Sequence, residues 1–306
     1  MSKLKCESKA QMIEDYKSWR AAMAAIVATL FAGMSGPAVA EEASSADGWR
    51  FNATAYAWFT SVSGNVTARG QTFGVNAGFF DIINNSSSIA AFNGYFEANK
   101  GPVGFYADLV WSNLGFPKSA ARYRNPLPGL DVNGVVNAQL GYTMTIVEVG
   151  GIYEVSRWSH SPGSFTAADA LLGFRYWNNS VAASLDAVMT ADLYNLGFER
   201  SRDIAVAKSG NLEWVDPVVG FRVRHQFTPS QTAFLRGDIG GFGLGSLFSW
   251  QAVAAYAYSW QFEGYKLAAT LGYRALATSY TTGAGIETRG VDLVLHGPLI
   301  GFSVKF

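Results

Sequence analysis

The sequence predicts an all-β fold, more closely an antiparallel transmembrane β-barrel of twelve strands, with ten or fourteen as alternatives. Three observations support this: an export segment at the start, a period-2 alternation of apolar and mixed residues, and an aromatic last residue, Phe306. Charged residues make up 15% of the 306 residues, against about 25% in soluble domains. The formal net charge is zero, so nothing draws the chain to a phosphate backbone. We therefore expect neither an ordinary soluble enzyme nor a nucleic-acid-binding protein.

Residues 1–40 have the pattern of an export signal. Arg20 precedes an apolar stretch at 21–33, and Ala38-Val39-Ala40 is a small-residue cleavage pattern. The apolar stretch is shorter than the about 20 residues that span a bilayer, which makes a membrane anchor the weaker interpretation. Cleavage there leaves residues 41–306 as one outer-membrane barrel domain.

The basic stretch before the apolar segment is long, so translation could begin at Met12 or Met23. The one cysteine, Cys6, lies in the export segment. The exported chain then has no disulfide and no thiol chemistry. There is also no HExxH and no paired-histidine spacing, so we predict no metal and no cofactor.

The chain after residue 40 alternates with the period of a β-strand. No stretch there approaches the 18 apolar residues of a membrane helix, so a membrane crossing would use strands. Alternating segments occur at 49–60, 88–100, 103–111, 133–144, 147–156, 167–177, 181–192, 218–227, 232–240, 250–260, 265–275 and 290–306.

Turn residues predict how neighbouring segments pair. Two-residue turns at Gly101-Pro102, Asn178-Asn179 and Glu263-Gly264, and a three-residue turn at 228–230, keep the mixed faces of adjacent strands together. At Thr145-Ile146 the mixed face changes parity without a turn-forming residue. That junction could instead be a bulge in one long strand.

Short and long connections alternate along the chain, as periplasmic turns and extracellular loops do in outer-membrane barrels. The long ones are predicted at 61–87, 115–130, 159–165, 193–212 and 280–289. Both chain ends then face the periplasm. Several tryptophans lie at segment ends, as an aromatic girdle requires: Trp49, Trp111, Trp158, Trp177, Trp214, Trp250 and Trp260.

The chain ends on an alternating strand with Phe302, Val304 and Phe306 on one face. A final aromatic residue in such a strand resembles the signal by which the outer-membrane assembly machinery recognises its clients. We therefore predict Phe306 as an assembly signal and the cell outer membrane, reached through the periplasm, as the location. The expected partners are outer-membrane lipid and the barrel assembly machinery, with small solutes as a further candidate.

Parts of the chain also resemble an uncharacterised family of proteobacterial outer-membrane barrels. The resemblance covers 49–114 and 216–306 and includes Asp108-Leu109, Asp216-Pro217-Val218-Val219-Gly220, Gly240-Gly241-Phe242-Gly243, Gly272-Tyr273-Arg274 and Gly297-Pro298. It implies a barrel in the outer membrane and brings no substrate or catalytic residue.

The mixed face of the strands predicts a charged interior. Its candidate lumen-lining residues are Arg50, Glu97, Asp108, Glu148, Glu154, Asp169, Arg175, Asp186, Arg222, Arg224, Arg236, Asp238, Lys266, Arg274 and Lys305. Acids and bases nearly balance, so we expect ion pairs across the lumen that narrow or close it, whereas an open selective pore tends to show one sign of charge. A narrow polar solute path and a catalytic interior are the alternatives, and Arg222, Arg224 and Arg236 could hold an anion.

The histidines give little support for catalysis. His160 lies beside Ser159 and Ser161 in a predicted outer loop, and His225 and His296 lie near irregularities, but none has a partner at a diagnostic spacing. We expect no enzyme, and a structural or narrow small-solute permeation role. The alternatives are a barrel hydrolase acting on lipid or peptide and a surface-binding protein that uses its outer loops. The apolar patch 79–83 in the first outer loop could fold inward as a plug or form a short helix at the rim, and we expect inward folding because exposed Phe and Ile would be sticky on a cell surface.

Overall fold

A computed structural model describes the backbone of residues 48–68, 70–127, 130–193 and 198–306. Side chains are described within those ranges except at 117–140 and 183–209. The predicted export signal and the side chain of Asp186 lie outside the described residues. Within them, no helix is long and apolar enough to cross a membrane.

The described chain consists almost entirely of antiparallel strands. They are β1 (Arg50–Trp58), β2 (Ser61–Ala68), β3 (Gln71–Ala77), β4 (Ser88–Lys100), β5 (Val103–Leu127), β6 (Leu130–Ser161), β7 (Ser164–Leu193), β8 (Phe198–Thr228), β9 (Gln231–Gly240), β10 (Phe248–Phe262), β11 (Tyr265–Thr282) and β12 (Arg289–Lys305). A short helix α1 (Phe79–Asn85) precedes β4, and a 3₁₀ turn (Gly285–Glu287) precedes β12.

Ten of these strands close into a barrel. Strands β4 to β12 pair in chain order, and β1 pairs with both β4 and β12. The remaining strands form a hairpin, in which β2 continues along β12 above β1 and β3 pairs with β2. A row of paired residues that starts at Asn52 crosses every barrel strand and meets β2 at Gly64, twelve residues further on. Such an offset requires strands tilted strongly to the barrel axis.

The prediction of twelve strands in the barrel is therefore only partly right, because ten close it and two lie outside. The predicted turn at Asn178-Asn179 is wrong, since both residues pair with β6 and with β8 in the middle of β7. Asn179 faces the interior, where its Oδ1 accepts a hydrogen bond from the Tyr142 hydroxyl at 2.6 Å. An asparagine pair is thus accommodated in a strand because its polar groups find partners there.

The junction at Thr145-Ile146 is also mid-strand, as the one-strand alternative had it, and β6 is 32 residues long. No register shift occurs at this point. The parity change instead reflects the interior, because Glu148 and Ile146 both point inward and both are buried. The inner face changes there from charged to apolar.

Three predicted hairpins are confirmed. The Gly101-Pro102 turn places Glu97 opposite Tyr106, and the Glu263-Gly264 turn places Val253 opposite Arg274. The link between β8 and β9 brings Arg222 opposite Arg236. In the first two hairpins, loop length sets which residues share a face. In the third, Thr228 pairs with Gln231, and a register shift between Gln226 and Thr228 brings the two arginines opposite each other.

The short turns lie at the end of the barrel that also carries Arg50 and Lys305, the outermost residues of β1 and β12. We name this the turn end and the opposite one the loop end. The predicted outer loop at 159–165 is wrong, because β6 and β7 are joined there by Pro162 and Gly163 at the turn end. Gly163 adopts φ +80°, a left-handed conformation that glycine reaches without strain.

The predicted loops at 115–130 and 193–212 are largely strand. Pairing of β4 with β5 stops at Gly115, and pairing of β9 with β8 stops at Val218. Beyond those points β5, β6, β7 and β8 continue as a sheet of their own at the loop end. We name this four-stranded part the extension.

The outward face of the barrel is apolar over a band of limited height. It runs over residues 103–111 on β5 and 168–176 on β7, close to the about 9–11 residues of a membrane-crossing strand. Its exposed side chains include Phe92, Phe96, Phe105, Val149, Leu172, Phe174, Val219, Phe221, Leu235, Tyr256, Leu271, Ile300 and Phe302. Polar outward residues mark its loop-end limit, namely Asn113, Thr143, Asn178, Glu213 and Asp292.

The last residue of the chain takes part in closing the barrel. Phe306 and Phe51 exchange backbone hydrogen bonds of 2.7 and 3.0 Å, and their rings lie 5.4 Å apart. The aromatic end of the chain thus lies at the β1–β12 seam.

The patch at 79–83 forms most of α1 rather than a plug. None of the helix residues is buried, and Phe80 is 74% exposed. Phe79 packs edge-on against Phe59 with ring centroids 5.0 Å apart. The prediction of inward folding is wrong, because the interior at the loop end is already filled by side chains of the strands themselves.

Candidate functional site in the barrel interior

Strand alternation brings most of the predicted lumen residues together in one ionic network. Buried members are Glu97, Asp108, Glu148, Asp169, Arg175, Arg222, Arg236, Asp238 and Arg274. Arg224 and Glu154 are partly exposed members, and Arg157, which the prediction omitted, joins them. Arg50 and Lys266 are exposed at the turn end and contribute no ion pair to the network in the described part of the chain.

The first part of the network lies toward the turn end around Arg222. Its Nη1 and Nη2 donate to the two oxygens of Glu97 at 2.6 and 3.1 Å, and its Nε donates to Asp169 at 2.8 Å. Asp169 also accepts hydrogen bonds from Nε and Nη2 of Arg224, both at 2.8 Å. These fork-to-carboxylate contacts are the strong, directional form of ion pair. They join β4, β7 and β8 across the lumen.

The second part centres on Arg175, which is fully buried. Its Nε donates to Glu148 at 2.8 Å and its Nη2 donates to Asp238 at 2.6 Å, while Nη2 also forms an ion pair with Glu148 at 2.7 Å. Arg236 contacts both of the same carboxylates. Gln251 completes the group by donating from Nε2 to Asp238 at 2.8 Å. Two cations and two anions therefore balance in the middle of the barrel.

Tyr106 packs beneath this group because two glycines make room for it. The Arg236 guanidinium lies 4.7 Å from the centre of the Tyr106 ring, and the Tyr106 hydroxyl donates to Glu148 at 2.8 Å. A Cβ at Gly150 would lie 2.7 Å from this ring, and one at Gly173 would lie 3.1 Å from its hydroxyl oxygen. These glycines serve packing, since neither is at a turn.

The third part joins β11 to β5 and β1. Nη1 of Arg274 donates to the Tyr56 hydroxyl at 2.7 Å and forms an ion pair with Asp108 at 2.7 Å. The Tyr56 hydroxyl in turn donates to the other oxygen of Asp108 at 2.7 Å. The guanidinium also lies 5.0 Å from the centre of the Trp58 ring, within the range of a cation–π contact.

Toward the loop end the interior is apolar. A buried cluster contains Trp58, Val110, Met144, Ile146, Trp177, Trp214, Leu276, Val291, Leu293, Leu295 and Leu299. Trp214 stacks on Tyr280 at 4.2 Å and on Trp177 at 5.5 Å. The prediction that Trp177 and Trp214 belong to the outer girdle is therefore wrong, because both point inward. The outward position next to Trp214 is occupied by Val215, which is exposed.

Asp216 holds the loop between β9 and β10 against this cluster. Its carboxylate accepts hydrogen bonds from the indole nitrogens of Trp177 and Trp214 at 3.2 and 3.4 Å. It also accepts from the backbone N–H and hydroxyl of Ser246 at 2.6 and 2.9 Å. The glycine-rich stretch after β9 thus forms a turn whose end is held against β8.

Sequence reasoning did not single out five polar residues that complete the interior: Tyr56, Tyr95, Tyr106, Asp216 and Gln251. All lie at inward-facing parity on their strands. Parity could have found them, but selecting only charged positions on the mixed face passed over the tyrosines. Which of them bond to which carboxylate depends on strands far apart in the chain.

The histidines lie outside the interior. His160 is at the turn end rather than in an outer loop, and its Nε2 lies 2.8 Å from the Thr166 hydroxyl, which is 2.9 Å from Nδ1 of His225. His296 Nδ1 lies 2.7 Å from the Tyr273 hydroxyl on the outward face. Among the described residues no group of three or more His, Cys, Asp or Glu side chains could hold a metal ion.

No protein-family model matches this chain, and no curated protein matches it. Similar solved structures include Ail, the attachment invasion locus protein of Yersinia pestis, at 7% identity and TM-score 0.28, covering 85% of this chain and 99% of that one. A Pseudomonas aeruginosa FadL homologue has 10% identity and TM-score 0.24, with 84% and 90% covered. The P. aeruginosa outer membrane protein OpdK has 8% identity and TM-score 0.20, with 85% and 99% covered. At these scores the assignment of a barrel rests on this chain's own strand pairing, and the family resemblance stays a prediction.

Proposed function

We propose that the chain is an integral outer-membrane barrel with a sealed interior that acts at the cell surface through its extension. In this conformation the chain has no catalytic role and conducts no solute. Of the functions expected from the sequence, the structural and surface-binding roles fit this arrangement, whereas solute permeation and hydrolysis do not.

The apolar band on the outward face supports membrane insertion. An exposed surface rich in Phe, Leu and Val is unfavourable in water and suits contact with lipid acyl chains. Aromatic side chains lie at the turn-end limit of the band, including Tyr258, Trp260 and Phe262 on β10, which are all exposed. Such residues suit the interface between lipid and water.

The main support for a sealed interior is that side chains fill it in two successive layers along the barrel axis. The ionic network occupies the barrel toward the turn end, and the apolar cluster occupies it toward the loop end. Arg175 and Leu276 are 0% exposed, and Glu148 is 1% exposed. An ion crossing the barrel would have to break buried ion pairs and then pass an apolar layer, and both steps are costly.

The extension supports a role at the surface. Strands β5 to β8 are 25 to 32 residues long, whereas about 9–11 residues suffice to cross a membrane. The extra length lies at the loop end, beyond the polar limit of the band. Its two outer strands, β5 and β8, have backbone edges that lack barrel partners there within the described pairing, and unpaired edges can accept another strand.

Epitope placement tests the topology. A tag inserted at 128–129, between β5 and β6, should bind antibody on intact cells. A matched tag at Glu263-Gly264, in a turn-end hairpin, should bind only after the outer membrane is permeabilised. Staining of the second tag but not the first on intact cells would reverse the orientation and refute surface action by the extension.

Planar-bilayer recording tests the sealed interior. The purified full chain should give no conductance steps above the lipid background. Regular steps in most insertions would refute the sealed barrel and restore narrow solute permeation as the function.

A further inference from the structure

One edge of the buried Arg274 guanidinium has no partner in the protein. Its Nη1 has two partners, an ion pair with Asp108 and a hydrogen bond to the Tyr56 hydroxyl, each at 2.7 Å. Its Nε and Nη2 are buried and without a hydrogen bond, and the residue is only 3% exposed. These two nitrogens form the planar fork that matches the two oxygens of a carboxylate.

The other arginines of the network use this edge. In Arg175 the Nε donates to Glu148 at 2.8 Å, and in Arg236 it donates to Asp238 at 3.2 Å. In both Arg222 and Arg224 the Nε donates to Asp169 at 2.8 Å. Among the described arginines of the network, Arg274 differs in leaving its fork open. A buried donor without a partner costs free energy, so this difference requires an explanation.

Other buried polar atoms without a hydrogen bond belong to side chains near Arg274 on the inner face. Trp58, whose ring lies 5.0 Å from the Arg274 guanidinium, has a buried indole N–H without an acceptor. Gln251 projects inward from the neighbouring strand β10, one inward position from Val253, the partner of Arg274, and its Oε1 is unpartnered. Arg175, linked to Gln251 through Asp238, has an unpartnered Nη1. The set is rich in donors and has one acceptor.

The same place is the boundary between the two layers of the interior. Leu276 lies opposite Gln251, and Leu295 lies opposite Leu276, both fully or nearly fully buried in the apolar cluster. A ligand held by the fork would therefore have polar donors on one side and aliphatic side chains on the other. A carboxylate with a small apolar substituent has this character, and the tight packing restricts its size.

We propose that the barrel interior holds a small carboxylate, bound in two-point fashion by Nε and Nη2 of Arg274 beside the Trp58 indole N–H. The site is independent of the extension and of the surface role. It lies between the two filled layers, so a carboxylate that enters from the turn end parts ion pairs of the network but crosses no apolar layer, and the barrel stays closed to passage. Binding involves no chemical change in the ligand.

Calorimetric titration of the full chain in detergent with sodium acetate tests this site, with sodium chloride at equal ionic strength as the blank. The wild type should give saturable heat with one acetate per chain. R274K should weaken acetate binding at least tenfold, because an ammonium cannot present a planar fork. W58F, which keeps an aromatic ring but removes the N–H, should weaken it about threefold, the loss of a modest hydrogen bond.

R157K is the matched control. Arg157 already fills its Nε and Nη2 with Glu154 at 2.8 and 2.7 Å, so acetate affinity should stay within twofold of the wild type. Heat-modifiable gel mobility shows which variants are folded. If R274K does not fold, the acetate affinity of W58F tests the proposal. The proposal is overturned if folded wild type gives no saturable heat, if R274K or W58F binds like the wild type, or if R157K weakens binding equally.

Discussion

Replacing Arg175 measures how strongly the ionic network holds the barrel interior. Arg175 is fully buried and is shared by Glu148 and Asp238. In R175M the described ion pairs leave Arg236 as the one cation for both carboxylates, so one buried negative charge is uncompensated. Removing one partner of a buried pair costs about 3–5 kcal/mol. We expect the free energy of unfolding to fall by that amount.

Urea unfolding of the full chain in lipid vesicles, followed by tryptophan fluorescence, measures the loss. The control is R157M, whose pair with Glu154 lies at the turn end with the Arg157 side chain 35% exposed. Exposed ion pairs contribute about 0–1 kcal/mol, so this variant should unfold close to the wild type. Both variants lose one arginine, and burial is the main difference between them.

A second substitution separates charge balance from packing. In R175M with E148Q, Arg236 and Asp238 again form a neutral pair, and a glutamine still accepts from the Tyr106 hydroxyl. We expect part of the lost free energy of unfolding to return. If R175M is no more destabilised than R157M, or if adding E148Q increases the loss, uncompensated charge is not the cause and the reasoning about the network is wrong.

Three further predictions concern packing, lipid contact and assembly. G150V should lower the free energy of unfolding by about 1–3 kcal/mol through overpacking, because a Cβ at this position would lie 2.7 Å from the Tyr106 ring. As a control, G141A should unfold like the wild type, since a Cβ there would be 3.8 Å from its nearest neighbour. Equal losses in the two variants would contradict the packing role of Gly150. L172K changes a residue that is 70% exposed in the apolar band, and it should lower the free energy of unfolding in vesicles by about 2–4 kcal/mol. E213K, beyond the loop-end limit of the band, should change this free energy little. A larger loss in E213K than in L172K would show that the apolar band is not the part that contacts lipid. F306S should reduce the heat-modifiable protein recovered in the outer-membrane fraction, and an unchanged yield would remove the assembly role.

The sequence alone predicted much of the barrel because period-2 alternation reports directly which way a side chain points. Glu97, Asp108, Asp169, Arg222 and Arg274 were assigned to the inner face from parity, and all are buried. Turn length fixed the pairing of Glu97 with Tyr106 for the same reason, since a one-residue slip would turn every side chain to the other face.

Alternation failed where both faces of a strand changed character. At residues 145–146 the interior passes from the ionic network to the apolar cluster while the outward face becomes polar, so the mixed face changes parity and suggests a strand boundary. At Asn178-Asn179 a residue pair typical of turns lies within a strand, because Asn179 bonds to Tyr142 in the interior and Asn178 lies outward at the polar limit of the band. In both cases the environment that settles the assignment is supplied by other strands.

What the sequence determined by itself is therefore the strand class, the inward and outward positions, and the hairpin registers at the turn end. Only the tertiary structure decided that ten strands close the barrel, that Arg222 meets Glu97 across 125 residues of chain, and that Arg274 leaves its fork open. The reason is physical: local pattern and turn length fix direction and register between neighbours, whereas contacts across the lumen depend on the tilt accumulated around the whole closed sheet.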